Sequence, residues 1–424
     1  MRRKVRRALT GVLRVPGDKS ISHRALLLAA LASSPSRIEN LNTGADVAST
    51  ASCLRTLGTQ IERSGASASV TPRPWGEPSE ILDCGNSGTT MRLLMGPLAG
   101  LQGLSILTGD ETLKRRPMLR VVAPLREMGA VIDGRRFGEL APLAIRGGEL
   151  TPVSKELPVA SAQVKSALLL AGMHARGTTS VSEPGPSRDH TERMTAALGA
   201  SIRTSGLEVA IHGPWQPEGF EMEVPGDPSS AAYLLVAALI TPGSELSIEG
   251  LGLNPTRIGA FEVLVSMGAQ LHWEQTATVL GEPVGVVTAS HSDLVGVEVG
   301  GVDLIPRLID EIPILAIAAA FARGTTTFTG VGELKVKESD RLEALAAGLR
   351  CVGIGAHASD ETLTVVGGSI TPGEVDSLGD HRIALAFAVA GSLAPDRVRI
   401  QRWSAVETSF PEFTALLDQA RAGR

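Results

Sequence analysis

At 424 residues the chain exceeds what one hydrophobic core usually holds, so two domains with a cleft between them are expected. Apolar residues make up 43% and charged residues 20%, which excludes a disordered chain, and with aromatics at only 3% the cores must be filled by Ala, Leu, Val and Ile. A net charge of -5 with both signs interspersed excludes a nucleic-acid or membrane surface over the whole molecule, so a polyanionic ligand needs a local basic pocket.

The basic start Met1-Arg2-Arg3-Lys4-Val5-Arg6-Arg7 runs into Thr10-Gly11 and not into an apolar segment, so no secretory signal is expected. Pro16-Gly17-Asp18-Lys19-Ser20-Ile21-Ser22-His23-Arg24 then sets a turn, a lysine, two hydroxyls and an arginine ahead of the apolar run ALLLAALASS from Ala25. Backbone N–H groups at a helix N-terminus beside cations form an anion site. A capped helix with exposed basic residues accounts for the same letters, and the spacing of a P-loop is absent. At LRTLGTQI (54–61) a helix ends on a glycine suited to a left-handed C-cap and a strand begins.

Asp83-Cys84-Gly85-Asn86-Ser87-Gly88-Thr89-Thr90-Met91-Arg92 is a second small-residue turn feeding a helix, where glycine admits a ligand close to the backbone. Lys114-Arg115-Arg116, preceded by Gly109-Asp110, adds three cations that a solvated face also explains. The helix-to-strand junction recurs at LREMGAVI (125–132), MTAALGASI (194–202) and LVSMGAQL (264–271), with a degenerate copy around Cys351-Val352-Gly353. Val224-Pro225-Gly226-Asp227-Pro228 resembles Val15-Pro16-Gly17-Asp18. Two such crossovers divide the chain into a domain of residues 16–227 and a discontinuous domain of 1–15 plus 228–424.

In the second half, Asp310-Glu311-Ile312-Pro313 places carboxylates at the start of a wholly apolar helix, where the dipole favours the ionised form and helix capping is an equal explanation. Lys335-Val336-Lys337-Glu338-Ser339-Asp340-Arg341 and Asp380-His381-Arg382 repeat the charged theme before further helices, and helix-face salt bridges explain either alone. Cys53, Cys84 and Cys351 are too widely spaced for a disulfide framework or a zinc site, which fits a reducing cytoplasm. No stretch of 18 apolar residues occurs, so no spanning helix is expected.

Apolar helical runs begin near Ala25, Arg92, Ser166, Ala232, Pro313 and Ile383, about 65 to 80 residues apart. Each repeat reads as helix, strand, helix, strand and is too small to stand alone, so six repeats in two domains predict three per domain. Helices without a polar face must be buried, inside a ring of sheets. Nearly every repeat opens its apolar helix with a cation or hydroxyl cluster. Summed helix dipoles at one cleft would select a highly phosphorylated or carboxylated substrate.

PGDKSISHRALLLAA, GNSGTTMRLL, GDETLKRRPM, ASAQVKSALLLAG, SRDHTERM, IDEIPILAIAAAFA, ELKVKESDRL and DHRIALAFA resemble, in order and over almost the full chain, the signature segments of the 5-enolpyruvylshikimate-3-phosphate synthases. The resemblance implies an α/β (α+β) protein with an inverse α/β barrel-like fold: two domains, each of three βαβαββ units with buried helices whose N-termini face the interdomain cleft. It implies transfer of the enolpyruvyl group of phosphoenolpyruvate to the 5-hydroxyl of shikimate 3-phosphate, releasing phosphate, with no metal or organic cofactor, no nucleic-acid or membrane partner, and a cytoplasmic monomer.

Carried over by motif position, Lys19, Ser20, Arg24, Ser161, Ala162, Gln163, Arg188, Asp310 and Lys337 resemble contacts to shikimate 3-phosphate. Lys19, Gly88, Arg116, Gln163, Arg341 and Arg382 resemble contacts to phosphoenolpyruvate, Gly88 through its backbone. Protons must be added to C3 of phosphoenolpyruvate and later removed, which needs acid-base groups on both sides of that carbon. Asp310 is the expected base toward the 5-hydroxyl, and Glu338 the group that exchanges the proton at C3, with Lys19 as partner.

Thr408-Ser409-Phe410-Pro411 lacks a lysine that some members carry there, and Ala162 lacks a hydroxyl; both features resemble the branch that includes glyphosate-tolerant enzymes. Gly88 stands where an alanine narrows the site in that branch, so glyphosate is expected to compete with phosphoenolpyruvate. The rival UDP-N-acetylglucosamine enolpyruvyl transferase shares fold and donor but uses a loop cysteine that nothing here matches. A catalytically silent anion-binding homologue would lack Lys19, Asp310, Glu338 or Arg382, and all four are present.

Overall fold

The computed structural model describes residues 7–392 and 398–423; the first six residues of the basic start and residues 393–397 of the last apolar run lie outside the described residues. The fold is mixed α/β, and residue contacts divide it into two compact units. One comprises Gly17–Pro225 and Thr278–Glu282, the other Met1–Pro16, Gly226–Ala277 and Pro283–Arg424.

In the unit built on 17–225, three four-stranded sheets share one pattern. Leu82–Asp83 runs parallel to Gly103–Thr108, which is antiparallel to Leu140–Gly147, itself antiparallel to Val131–Gly134. Ser154–Glu156, Gly177–Ser182, Glu208–Gly213 and Ile202–Ser205 repeat it. So do Glu221–Glu223, Ser36–Glu39, Ser67–Thr71 and Gln60–Ser64, where the last strand of the unit closes against its first. Alternate residues of these strands point inward, as the period of two requires: Ala68 and Val70 are buried while Ser69 between them is exposed.

The other unit has two four-stranded sheets and one of two strands among the described residues. Thr10–Leu13 is parallel to Glu245–Gly252, and Glu298–Val299 to Thr325–Thr329. The final repeat departs from the expected pattern. Among the described residues Gly373–Asp376 pairs only with Val398–Gln401, and the chain continues into the 3-10 turn Trp403–Thr408 and the helix Phe413–Ala422 where its neighbours form a hairpin. Phe413 packs edge-on to Tyr233 and Phe410, so aromatic rings cover the core that strands cover elsewhere.

Each unit is built around helices that lack a polar face. All thirteen residues of Pro228–Ile240 are buried, as are nine of the ten in Ile312–Phe321, and both pack on His381–Ser392. In the other unit Gly88–Gly100 packs against Lys19–Leu31 and Ala162–Gly172. Burying a Leu or Ile side chain contributes about 1.5–3 kcal/mol. A Cβ on Gly96 would lie 2.4 Å from the Ala167 carbonyl oxygen, so that helix pair requires glycine at its crossing. At the five helix-to-strand junctions Gly58, Gly129, Gly199, Gly268 and Gly353 all take positive φ, from +82° to +107°.

Candidate active site

The helix Lys19–Leu31 starts on Asp18, whose carboxylate accepts from the Ile21 N–H at 2.9 Å. Capping and cation display therefore coexist, but the cations are not exposed as a merely capped helix would leave them. Lys19 Nζ reaches Asp46 Oδ2 at 3.0 Å. Arg24, only 3% exposed, donates from NH1 to the Ser20 carbonyl at 2.9 Å, from Nε to Thr191 Oγ1 at 2.7 Å and from NH2 to Ser166 Oγ at 2.7 Å. Burial lowers the Arg24 pKa to about 10; Glu192 and Asp18 oppose the shift and Arg188 adds to it, which places the Arg188 charge within range of Arg24.

Ser87 caps the helix Gly88–Gly100 by accepting from the Thr90 N–H at 3.1 Å. Thr90 shares a hydrogen bond with Thr50 at 2.7 Å, and Thr50 shares one with His23 Nδ1 at 2.6 Å. Burial, then the charges of Lys19 and Arg24, hold His23 well below the usual histidine range, so it is neutral. Arg92, one helical turn after Gly88, donates from NH1 to Gln163 Oε1 at 2.7 Å and from NH2 to the Pro117 carbonyl at 3.2 Å, while Gln163 donates to Thr89 at 3.0 Å. A Cβ added to Gly88 would lie 2.9 Å from Arg92 NH1 and 3.1 Å from Arg116 NH1. Gly88, Arg116 and Gln163 thus gather around Arg92, which sequence reasoning did not single out although its spacing of four from Gly88 puts both on one helix face.

Ser161 caps the helix Ala162–Gly172, which Ala162 opens. The Ser161 N–H donates to Glu183 Oε1 at 2.7 Å, and Ser187, the neighbour of Arg188, donates to Glu183 Oε2 at 2.7 Å. Glu183 and Glu192 flank buried Lys165 at 2.7 and 2.8 Å. Against the lowering that burial imposes, the two carboxylates keep the Lys165 pKa raised. His190, two residues after Arg188, meets Glu282 at 2.8 Å with both side chains buried.

In the other unit, Asp310 lies among three cations: 3.3 Å from Arg341 NH1 and 3.7 Å from both Lys337 Nζ and Arg382 NH2. Glu338 pairs with Arg341 NH2, and Asp380 accepts from Arg341 Nε at 2.7 Å. Burial would lower the Arg341 pKa, but Asp380 and Glu338 raise it above the ordinary arginine value. The capping explanation for Glu311 does not hold: the helix Ile312–Phe321 has no side-chain cap, and Glu311 instead accepts from Ser229 and from Arg382 NH1. Asp340, by contrast, does cap the helix Arg341–Cys351 through the Glu343 N–H. Lys335 pairs with Asp360, away from Lys337. Asp380, fully buried, was read in sequence only as part of a charged tripeptide; its role as the partner of Arg341 had no local signal.

Among the described residues no group of three or more His, Cys, Asp or Glu side chains could hold a metal ion, and no helix is long and apolar enough to cross a membrane.

Residues 4–417 match the protein family described as EPSP synthase (3-phosphoshikimate 1-carboxyvinyltransferase). The 3-phosphoshikimate 1-carboxyvinyltransferase of Thermus thermophilus is 51% identical over 411 residues, covering 96% of this chain and 95% of the relative. That of Brevibacillus brevis is 47% identical, covering 96% and 97%. The solved EPSP synthase of Acinetobacter baumannii superposes with a TM-score of 0.87 at 40% identity, over 98% of this chain and 96% of that one. The enolpyruvyl transferase NikO of Streptomyces tendae, at 21% identity and a TM-score of 0.78, shares the fold. With a family match over nearly its whole length and relatives at about half identity, the chain belongs to the EPSP synthase family.

Proposed function

We propose that this protein transfers the enolpyruvyl group of phosphoenolpyruvate to the 5-hydroxyl of shikimate 3-phosphate, yielding 5-enolpyruvylshikimate 3-phosphate and phosphate. The observation that carries the reading is the Asp310 carboxylate among Lys337, Arg341 and Arg382, with Glu338 on the same arginine. Carboxylates able to move protons stand there among cations able to offset substrate charge. Two close anions repel by about 4 kcal/mol at an effective dielectric of 20, so such cations are needed to bring both substrates together.

In this reading Asp310 takes the proton of the 5-hydroxyl as oxygen adds to C2 of phosphoenolpyruvate. Glu338, with Lys19 as partner, gives and then removes the proton at C3, and phosphate leaves from the tetrahedral intermediate. Arg116, Arg341 and Arg382 receive phosphoenolpyruvate with Gln163 and the Gly88 backbone. Arg24, Ser20, Ser161, Ala162, Arg188 and Lys337 receive shikimate 3-phosphate. The enzyme acts on two small molecules as a cytoplasmic monomer without a nucleic-acid partner, the last supported by its net charge of -5.

Phosphate release measured with phosphoenolpyruvate and shikimate 3-phosphate, beside UDP-N-acetylglucosamine as acceptor, tests the assignment. Release that depends on the shikimate ester is expected; release with the sugar nucleotide alone, or with neither, would overturn it.

A further inference from the structure

The buried cations of this protein are compensated in two different ways. Arg341 touches the carboxylates of Asp380, Asp310 and Glu338, Arg382 touches those of Glu311 and Asp310, and Lys165 those of Glu183 and Glu192. Arg24 touches none among the described residues. Its guanidinium donates to a carbonyl and to two hydroxyls, and those hydroxyls are joined to each other: Thr191 Oγ1 donates to Ser166 Oγ at 2.7 Å.

This closed triangle has a directional logic. Thr191 spends its proton on Ser166, so the lone pairs of Thr191 Oγ1 are left for Arg24 Nε, and Ser166 Oγ accepts from both Thr191 and Arg24 NH2. A hydroxyl fixes the plane of a guanidinium without cancelling its charge, whereas a carboxylate there would do both. Ser166 and Thr191 are fully buried and sit on two different helices, Ala162–Gly172 and His190–Ala197. The first helix begins directly after Ser161 and the second two residues after Arg188, so the triangle also ties together the three segments that carry Arg24, Ser161 and Arg188.

We infer that Thr191 and Ser166 are positioning residues that hold Arg24 oriented, with no carboxylate in direct contact, for an anionic group of the acceptor substrate. The inference rests on the assignment of shikimate 3-phosphate as that acceptor. Thr191→Val keeps the side-chain shape and removes the hydroxyl, Thr191→Ser restores the hydroxyl, and Ser166→Ala removes the other corner should the valine variant fail to fold.

The test is calorimetric binding of shikimate 3-phosphate alone, followed by steady-state KM values for both substrates. Thr191→Val is expected to weaken shikimate 3-phosphate binding and raise its KM by about tenfold or more, with the KM of phosphoenolpyruvate within about twofold of the parent. Thr191→Ser should recover most of the loss, and in an Arg24→Gln background Thr191→Val should add little. A parent protein that does not bind shikimate 3-phosphate overturns the functional assignment and the inference with it. A parent that binds it, with Thr191→Val and Ser166→Ala unchanged, shifted equally for both substrates, or fully additive with Arg24→Gln, overturns the inference alone.

Discussion

Arg341 and Asp380 form an ion pair in which neither side chain is more than 1% exposed, with Nε 2.7 Å from Oδ2. The same carboxylate accepts from the Arg382 N–H at 2.9 Å and from Ser339 at 3.2 Å, so one buried aspartate orders two of the arginines assigned to phosphoenolpyruvate.

Asp380→Asn is expected to lower stability by about 3–5 kcal/mol, because it leaves a buried guanidinium short of its fully buried counter-charge. Burial alone would raise the Asp380 pKa, but Arg341 overrides it and holds the carboxyl below its ordinary value. The stabilisation is therefore complete above the ordinary aspartate range, near pH 4, and is lost as pH falls through the lower folded value. Urea denaturation of parent and variant should show the gap at pH 7 and its closing below about pH 4. A gap independent of pH would contradict the pairing.

Arg24 titrates in the opposite direction. Because burial lowers its pKa to about 10, its charge is lost as pH rises through that value. Affinity for shikimate 3-phosphate should fall above pH 10, by up to about tenfold per unit for this group. In Arg24→Gln, binding should be weaker at pH 8 and should lack that inflection. Calorimetry from pH 8 to 11 on both proteins checks it.

Gly88→Ala pushes a methyl to within 2.9 Å of the Arg92 guanidinium and 3.1 Å of that of Arg116. Both are ends of flexible side chains, so the fold should survive and the arginines should shift. In the parent, glyphosate is expected to compete with phosphoenolpyruvate. In the variant its inhibition constant should rise by about tenfold or more, while the KM of phosphoenolpyruvate rises less. Inhibition kinetics decide this, and no competition at millimolar glyphosate in the parent would contradict it.

Gly96→Ala meets backbone instead, 2.4 Å from the Ala167 carbonyl oxygen, with no flexible group to give way. The helices Gly88–Gly100 and Ala162–Gly172 would have to separate, at a cost of about 1–3 kcal/mol in thermal or urea unfolding. Activity should fall as well, since Gln163 bridges the same two helices through Arg92 and Thr89.

The amino-acid order by itself determined the features that depend on neighbours within a turn or two. Ala- and Leu-rich runs with no polar face had to become buried helices, glycines at fixed places had to end helices in left-handed backbone, and Lys19, Gly88 and Arg382 were visible as members of charged or glycine-rich segments at helix starts. Only the tertiary structure decided which charges meet. Arg24 finds Ser166 across 142 positions and Thr191 across 167, and Arg341 finds Asp380 across 39. Such partners leave no periodic trace, because hydrogen bonds and ion pairs act through space, while helical spacing relates residues only three or four apart. The same reason hid the last repeat. Its apolar helix reads like the others, but whether the chain after Val398–Gln401 forms a hairpin or a helix depended on aromatic packing of Phe410 and Phe413 near Tyr233, which no local pattern encodes.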